Sequence, residues 1–194
     1  MIPKILHQTW KSKIYIPENF RFWSDSFSDC NPGLERRLYD DIDNRELLVK
    51  TVPQLLPLYQ EFPREIFRVD FIRCLYLFYI GGVYADFDFQ CLTEFTDIFS
   101  GDSNLFLGSM GTDYSFPHSI PNALMASNPN QGVWLGYLAN IEQAWLSIHG
   151  SIEVQSPEWI TGPVILRNTA LQYQQDIVRF KNNIFQFITR HSLE

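Results

Sequence analysis

The chain has 194 residues, a hydrophobic content of 45% and an aromatic content of 15%, enough for one globular domain with a substantial core and incompatible with a disordered segment. Its net charge of −7 argues against a broad nucleic-acid surface, which would be basic, but leaves room for a local basic pocket around a small anion. Cys30, Cys74 and Cys91 are odd in number and lack CxxC spacing, so neither a disulfide framework nor a zinc site is expected, and a reducing, cytoplasmic setting is the expectation. A luminal domain separated from its membrane anchor would present the same sequence. No segment supplies about 18 uninterrupted apolar residues, so no membrane span is expected, and the N-terminal apolar patch is too short for a signal peptide.

In chain order, "KILHQTW" reads as a first strand, and "PENFRFWSDSFSDCNPG" as a loop with a short helix stopped at the Asn31–Pro32–Gly33 turn. "LERRLYD" alternates as a second strand. "DIDNRELLVKTV" opens on an Asp/Asn cap and continues as a helix, after which Pro53, Pro57 and Pro63 break the chain. From Glu65 to Ile80, Ile66, Val69, Ile72, Tyr76 and Tyr79 recur at helical spacing, with Gly81 placed to end the helix. "VYADFDF" then reads as a strand, "NLFLGSM" as another, and "GVWLGYLANIEQAWLSI" as a second long helix. "FKNNIFQFIT" near the C-terminus fits strand or helix. Helices alternating with strands predict an α/β domain with a mixed or mostly parallel sheet. No repeat or linker divides residues 1–194, which read as a single domain and equally as the N-terminal part of a longer protein.

The stretch "GGVYADFDFQ" carries the chemistry. Two carboxylates, Asp86 and Asp88, sit among apolar residues, where an unpaired charge is costly. On one strand face they would lie roughly 6.6 Å apart along the chain and repel each other unless a cation lies beside them. Hard divalent ions such as Mn²⁺ or Mg²⁺ suit carboxylate oxygens, and a phosphate-bearing ligand would complete the coordination. DxD alone is a weak signal, and most short matches are solvated turns. Apolar flanks and a preceding Gly-Gly turn point instead to the carboxyl edge of a sheet, where ligands collect in α/β folds. On the helix before it, Asp70 and Arg73 share a face. As a surface ion pair they would be worth at most about 1 kcal/mol; within "VDFIRCLYLFYI" they read as held for a partner, Arg gripping phosphate or sugar hydroxyls and Asp accepting from hydroxyls.

With these residues in order, "IPKILHQTW", "NPGLERRLYDD", "RVDFIRCLYLFYIGGVYADFDF" and "TGP", the chain resembles the DXD-containing sugar transferases of glycosyltransferase family 32, and more distantly the glucosylating domains of large clostridial toxins. The likeness covers about residues 2 to 165 and is most specific from Asp70 to Asp88. It implies a GT-A fold, a Rossmann-like mixed sheet flanked by helices. It further implies a metal-dependent glycosyltransferase that moves a sugar from a nucleotide-sugar donor to a glycan or other hydroxyl acceptor with retention. Asp86 and Asp88 would serve metal and diphosphate, Asp86 also touching ribose or sugar. Asp70 and Arg73 would hold the donor sugar and its phosphate, with Arg73 and Asp86 as the catalytic pair. Gln8, Thr9 and Trp10 at the end of the first strand would form the nucleotide side. Trp10 stacks on the base in this reading or packs in the core in the plain one, and a single stacking Trp favours UDP. His7 of the same strand reads as structural. Asn122 is the further donor-sugar candidate; Asp113 and His118 are weaker and read as loop residues. Family members carry a longer C-terminal part that closes over the donor, and here only His191 and Ser192 stand in its place. A retaining transfer by assistance from the leaving phosphate or through a covalent intermediate fits these residues equally.

Two other readings have discriminating features. Haloacid-dehalogenase-like phosphatases also use DxD with Mg²⁺ after an apolar strand, but want Thr or Val where Gln90 stands and place the motif on an early strand. A non-catalytic nucleotide-sugar or glycan-binding module differs from the enzyme by lacking donor turnover.

Overall fold

The computed structural model describes residues 2–95, 99, 103–110, 116–148 and 156–173, together with the backbone of 178–181 and 185–187. Asp113, His191 and Ser192 lie outside the described residues.

The main sheet has six strands in the order β2-β1-β3-β6-β5-β7. They are β1 (Ile5–Thr9), β2 (Glu35–Tyr39), β3 (Gly82–Ala85), β5 (Leu105–Ser109), β6 (Leu124–Ser127) and β7 (Val178–Lys181). β1 lies parallel to both β2 and β3, with His7 opposite Arg37 on one side and Tyr84 on the other. β6 runs antiparallel to β3 and β5, while β5 and β7 are parallel. A separate two-stranded ribbon pairs β4 (Phe89–Cys91) with β8 (Phe185–Phe187), which gives the C-terminal segment its strand character. The sheet is therefore mixed, as an α/β chain with one inserted antiparallel strand requires.

Strand alternation sorts two cores. Tyr84, Leu105, Leu107 and Met125 face a cluster with Phe71, Leu75, Trp134 and Ile141, whereas Val83, Ala85, Phe106, Leu124 and Ala126 face one with Phe27, Phe95 and Phe99. β3 is thus covered on both faces, which is why its sequence is an unbroken apolar run. The first cluster is built by the helices α2 (Asp41–Thr51), α3 (Leu56–Glu61), α4 (Glu65–Tyr79), α5 (Gly132–Ser147), the single turn α6 (Pro157–Ile160) and α7 (Pro163–Gln172). The second is capped by α1 (Glu18–Cys30), a full 13-residue helix where a short one was expected. Its Trp23 and Phe27 are buried, Phe27 in the cluster under the sheet, and that burial stabilises helix that local propensity alone would not.

Local signals explain the element ends. The Asp40 carboxylate accepts from the amides of Ile42 and Asp43, and Asp43 returns the bond to the Asp40 amide, so α2 opens on a complete capping box. At the end of α4 the Gly81 amide donates to the carbonyls of Tyr76 and Leu77, and Gly81 and Gly82 have φ of +72° and +107°. A Cβ on Gly82 would meet the Ile5 carbonyl oxygen at 2.5 Å, so only glycine lets β3 enter beside β1.

One expectation is corrected. "VYADFDF" is not a continuous strand: β3 stops at Ala85, and Asp86–Phe89 closes as a turn in which the Phe89 amide donates to the Asp86 carbonyl at 3.3 Å. The two aspartates therefore do not share a strand face. In a strand covered on both sides either carboxylate would be buried against apolar neighbours, whereas a turn at the carboxyl edge lets both approach solvent. The Asp86 amide is meanwhile secured by the Ala123 carbonyl at 2.9 Å, just before β6.

Candidate active site at the carboxyl edge of the sheet

The Asp86–Asp88 turn opens into a cleft of about 550 Å³. Its walls include Thr9 and Trp10 from the end of β1, Ile66, Val69 and Arg73 from α4, and Tyr84, Asp86, Phe87 and Asp88. Parallel strands end and α4 begins at this edge, so one surface collects side chains from three distant parts of the sequence.

Arg73 is the centre of the arrangement and is only 2% exposed. Its guanidinium donates to the Asn122 carbonyl at 2.7 Å, lies 3.1 Å from Asp70 Oδ1 and 3.5 Å from Asp86 Oδ1, and sits over the Tyr84 ring at 4.6 Å from its centre. The reading of Asp70 and Arg73 as a surface ion pair is thereby excluded; α4 is enclosed around its midpoint, and the pair is buried with it. Burial alone would lower the Arg73 pKa, but the Asp86 and Asp70 carboxylates hold it above its ordinary value, so the cation is permanent.

Asp70 lies behind Arg73 rather than on the cleft wall. Its Oδ1 accepts from the Asn122 amide at 2.9 Å as well as from Arg73, and its Oδ2 accepts from the Thr161 hydroxyl at 3.1 Å. Burial pushes its pKa up to about 6 against the pull of Arg73, which leaves it ionised at neutral pH. Asn122, also buried, does not line the cleft. The structure thus brings Asp70, Arg73 and Asn122 together in one network with Asp86. Thr161, in the "TGP" segment, belongs to the same network, and sequence reasoning assigned it no role. Gly162 beside it has no room for a side chain, since a Cβ would meet Glu158 Cα at 2.8 Å and Asp70 Oδ2 at 3.3 Å.

Tyr84 was also missed. Burial raises its pKa well above normal, so its hydroxyl stays protonated and donates to Asp86 Oδ1 at 2.5 Å. That bond and Arg73 fix one oxygen of Asp86. Asp88 is held differently: its Oδ1 is buried with no hydrogen-bond partner. Burial, then the Asp86 charge, raise its pKa to about 6. Among the described residues no cluster of three or more His, Cys, Asp or Glu side chains forms a closed metal cage. Two carboxylates with an unpartnered buried oxygen fit a hard divalent ion whose remaining ligands come from water and phosphate.

On the nucleotide side, Trp10 packs against Phe20 (ring centres 5.0 Å apart) and edge-on to Phe87 (5.4 Å), making an aromatic wall. Thr9 lines the cleft and bonds the Tyr39 carbonyl and the Asn44 amide. Gln8 points to the opposite face of β1, is 3% exposed, and accepts from Ser24; it is not among the cleft residues. His7 is fully buried beside the stacked pair Tyr39–Tyr76, with ring centres 5.8 and 5.5 Å away. The Gly81 carbonyl, 2.7 Å from Nε2, can only accept, so Nε2 carries the proton and Nδ1 accepts from the Tyr39 hydroxyl. Burial lowers its pKa to about 4. The ring ties β1 to the Gly-Gly turn.

The likeness to known proteins is consistent with this geometry. Inositol phosphoceramide mannosyltransferase 2 of Schizosaccharomyces pombe is 30% identical over 143 residues, covering 74% of this chain and 39% of that protein. Mannosyl phosphorylinositol ceramide synthase SUR1 of Saccharomyces cerevisiae is 27% identical over 182 residues, covering 90% of this chain and 43% of that protein. The chain thus spans less than half the length of these relatives. Among solved structures, the PaToxG glycosyltransferase superposes with a TM-score of 0.67 at 18% identity over 89% of this chain and 70% of that one. The UDP-bound glycosyltransferase domain of the YGT toxin gives 0.68 at 10% identity over 100% and 82%. These likenesses show the GT-A fold. The family model described as "glycosyltransferase sugar-binding region containing DXD motif" matches residues 6–105, just over half of the chain, and the chain belongs to that family.

Proposed function

We propose that this chain is the donor-binding and catalytic part of a metal-dependent glycosyltransferase that moves a hexose from a nucleoside diphosphate to a hydroxyl group of a glycan or lipid. The observation that carries the reading is the buried Arg73 fork beside the Asp86–Asp88 turn, a permanent cation next to two carboxylates in one cleft.

Asp88 and the second oxygen of Asp86 would hold Mn²⁺ or Mg²⁺, which when bound neutralises charge on the diphosphate leaving group. Arg73 is preorganised for the same charge. Asp70, the Asn122 carbonyl and Tyr84 fix it before substrate arrives, so no reorganisation is needed as the leaving oxygen becomes more negative. Asp70 positions Arg73 through a direct ion pair and keeps its fork from turning. Tyr84 orients Asp86. Trp10, flanked by Phe20 and Phe87, offers its ring to the base, and its indole N–H is buried without a partner. A single indole suits uracil, hence the reading of UDP as nucleotide. The mannosyl names of the relatives point instead to a mannosyl donor such as GDP-mannose, and their ceramide names support a lipid-borne acceptor. Retention at the anomeric carbon is carried over from the family resemblance. The free thiols Cys30, Cys74 and Cys91 support a cytoplasmic, reducing setting, and among the described residues no helix is long and apolar enough to cross a membrane.

The test is a thermal-shift panel of UDP-glucose, UDP-galactose, UDP-N-acetylglucosamine and GDP-mannose, each with and without Mn²⁺. A native-state ligand raises the melting temperature by mass action. A Mn²⁺-dependent rise for one donor, followed by release of its nucleoside diphosphate, is expected, and the anomeric signal of the product reads retention or inversion. No shift with any donor would remove the reading.

A further inference from the structure

Two loops reach Asp70 from distant parts of the chain, and each carries exposed groups on its far side. The segment 116–123 delivers Asn122 to Asp70, and its Ala123 carbonyl accepts from the Asp86 amide. The segment 156–162 delivers the Thr161 hydroxyl to the other oxygen of Asp70. Away from Asp70 the loops meet again. His118 Nε2 lies 3.9 Å from Glu158 Oε2, and the His118 ring stands perpendicular to the Trp159 indole with centres 6.4 Å apart.

Trp159 is the anomaly. Trp23, Trp134 and Trp145 are buried and Trp10 is half-buried, but Trp159 is 53% exposed. The fold does not need its indole, because α6 is anchored by buried Ile160 and by the close approach of Gly162 to Pro157 and Glu158. An indole carries a large apolar face and a polar N–H, which suits a surface that is wet on one side and covered by a ligand on the other. The rim here is one carboxylate and one imidazole. A carboxylate beside the ring disfavours phosphate and favours hydroxyl donors, while the imidazole can donate or accept. The face of a pyranose ring is apolar carbon–hydrogen surface edged by hydroxyls, which matches an indole face edged by hydrogen-bonding groups.

We propose that Trp159, Glu158 and His118 form an acceptor platform for a hexopyranoside, with the sugar ring on the indole and its hydroxyls donating to Glu158 and bonding His118. That it serves the acceptor end of the reaction rests on the donor reading of the Asp86–Asp88 cleft; that it binds a sugar does not. The platform and the cleft share Asp70 as a common support, since its carboxylate bonds Thr161 next to the one and Arg73 next to the other.

The experiment is saturation-transfer-difference NMR on the full chain with methyl α-mannopyranoside, methyl α-glucopyranoside and methyl α-galactopyranoside as probes, without nucleotide. At least one glycoside should receive saturation at its ring protons. The transfer should fall several-fold in Trp159→Ala and in Glu158→Gln, and persist in Trp159→Tyr and in Asp88→Ala. Equal transfer in folded Trp159→Ala and Glu158→Gln, or no transfer to any of the probes, overturns the platform. Glu158→Gln keeps the test decisive if Trp159→Ala melts early. A glycoside signal that depends on Trp159 in a protein that shows no Mn²⁺-dependent donor shift would sustain the platform while removing the donor reading, so the two fail separately.

Discussion

Asp70 and Asp88 are two carboxylates of one site, both pushed up to about 6 by burial, and they are satisfied in opposite ways. Asp70 accepts from Arg73, Asn122 and Thr161, residues of three separate segments, and is not among the residues lining the cleft. Asp88 lines the cleft and keeps a buried oxygen with no partner. A buried charge costs free energy unless it is paired, so the contrast separates structure from function. The first carboxylate is satisfied by the protein; the second is the one to which a metal-holding role is proposed above.

The largest expected effect comes from breaking the finished half. Arg73→Ala leaves Asp70 without its counter-ion and the Asn122 carbonyl without its donor in the interior, and should cost about 3–5 kcal/mol of stability by urea denaturation. Arg73→Lys keeps the charge but loses the fork. It should fold and still lose about 2.7–4 kcal/mol of transition-state stabilisation in donor turnover. Near-normal turnover in Arg73→Lys would confine Arg73 to a structural role.

A second test uses pH. Folded His7 titrates near 4 and an unfolded histidine near 6.5, so between these values only the unfolded chain takes the proton. The His7 contribution is therefore complete above about pH 6.5 and is lost as pH falls through 4, about 3 kcal/mol in all. Asp70 and Asp88, raised rather than lowered, act with the opposite sign: their contributions are present below the ordinary carboxylate range and fade as pH rises through about 6. The difference between wild type and His7→Gln removes that background. A stability difference independent of pH from 7 to 4 would contradict the buried neutral imidazole.

Thr161→Val should cost about 1–3 kcal/mol by leaving Asp70 Oδ2 without its donor, and Thr161→Ser should restore most of it. The smallest stability effect belongs to the unfinished half. Asp88→Ala removes a charge that repels Asp86, and because the group is partly solvated the gain should be no more than about 1 kcal/mol. The same variant should lose Mn²⁺-dependent nucleotide-sugar binding by calorimetric titration. Retained Mn²⁺-dependent affinity in a folded Asp88→Ala would sink the metal assignment.

Much of this was legible in the sequence because the signals were local. The helix ending at Gly81 and the proximity of Asp70 to Arg73 follow from spacing alone, while the cap of α2 is Asp40, one residue before the segment expected to open on it. β6 was not legible: "LMAS" is four residues inside a loop-like segment, and it becomes a strand only because β3 and β5 leave a gap between them. The turn at Asp86 was misread because Phe87 and Phe89 continue the alternation of β3, and only the Phe89 amide turning back to the Asp86 carbonyl shows that the strand has stopped. Gln8 fails for a simpler reason. It neighbours Thr9 in sequence, and strand parity sends it to the other face. Thr161 and Tyr84 carried no signal of their own, since a hydroxyl acquires a role only from what it reaches in space.

The bond from Thr161 to Asp70 spans 91 residues, and that from Asn122 to Asp70 spans 52. Such closures are entropically expensive and form late in a folding chain. The aspartates of the turn could come close to each other early, as neighbours do, but the support that fixes Arg73 must wait until the segment around residue 161 has docked. A molecule stalled before that step would carry the motif without a rigid cation and, on the function proposed above, would bind nucleotide loosely and turn it over poorly. Competence at this site is thus a report on the completion of folding across most of the domain.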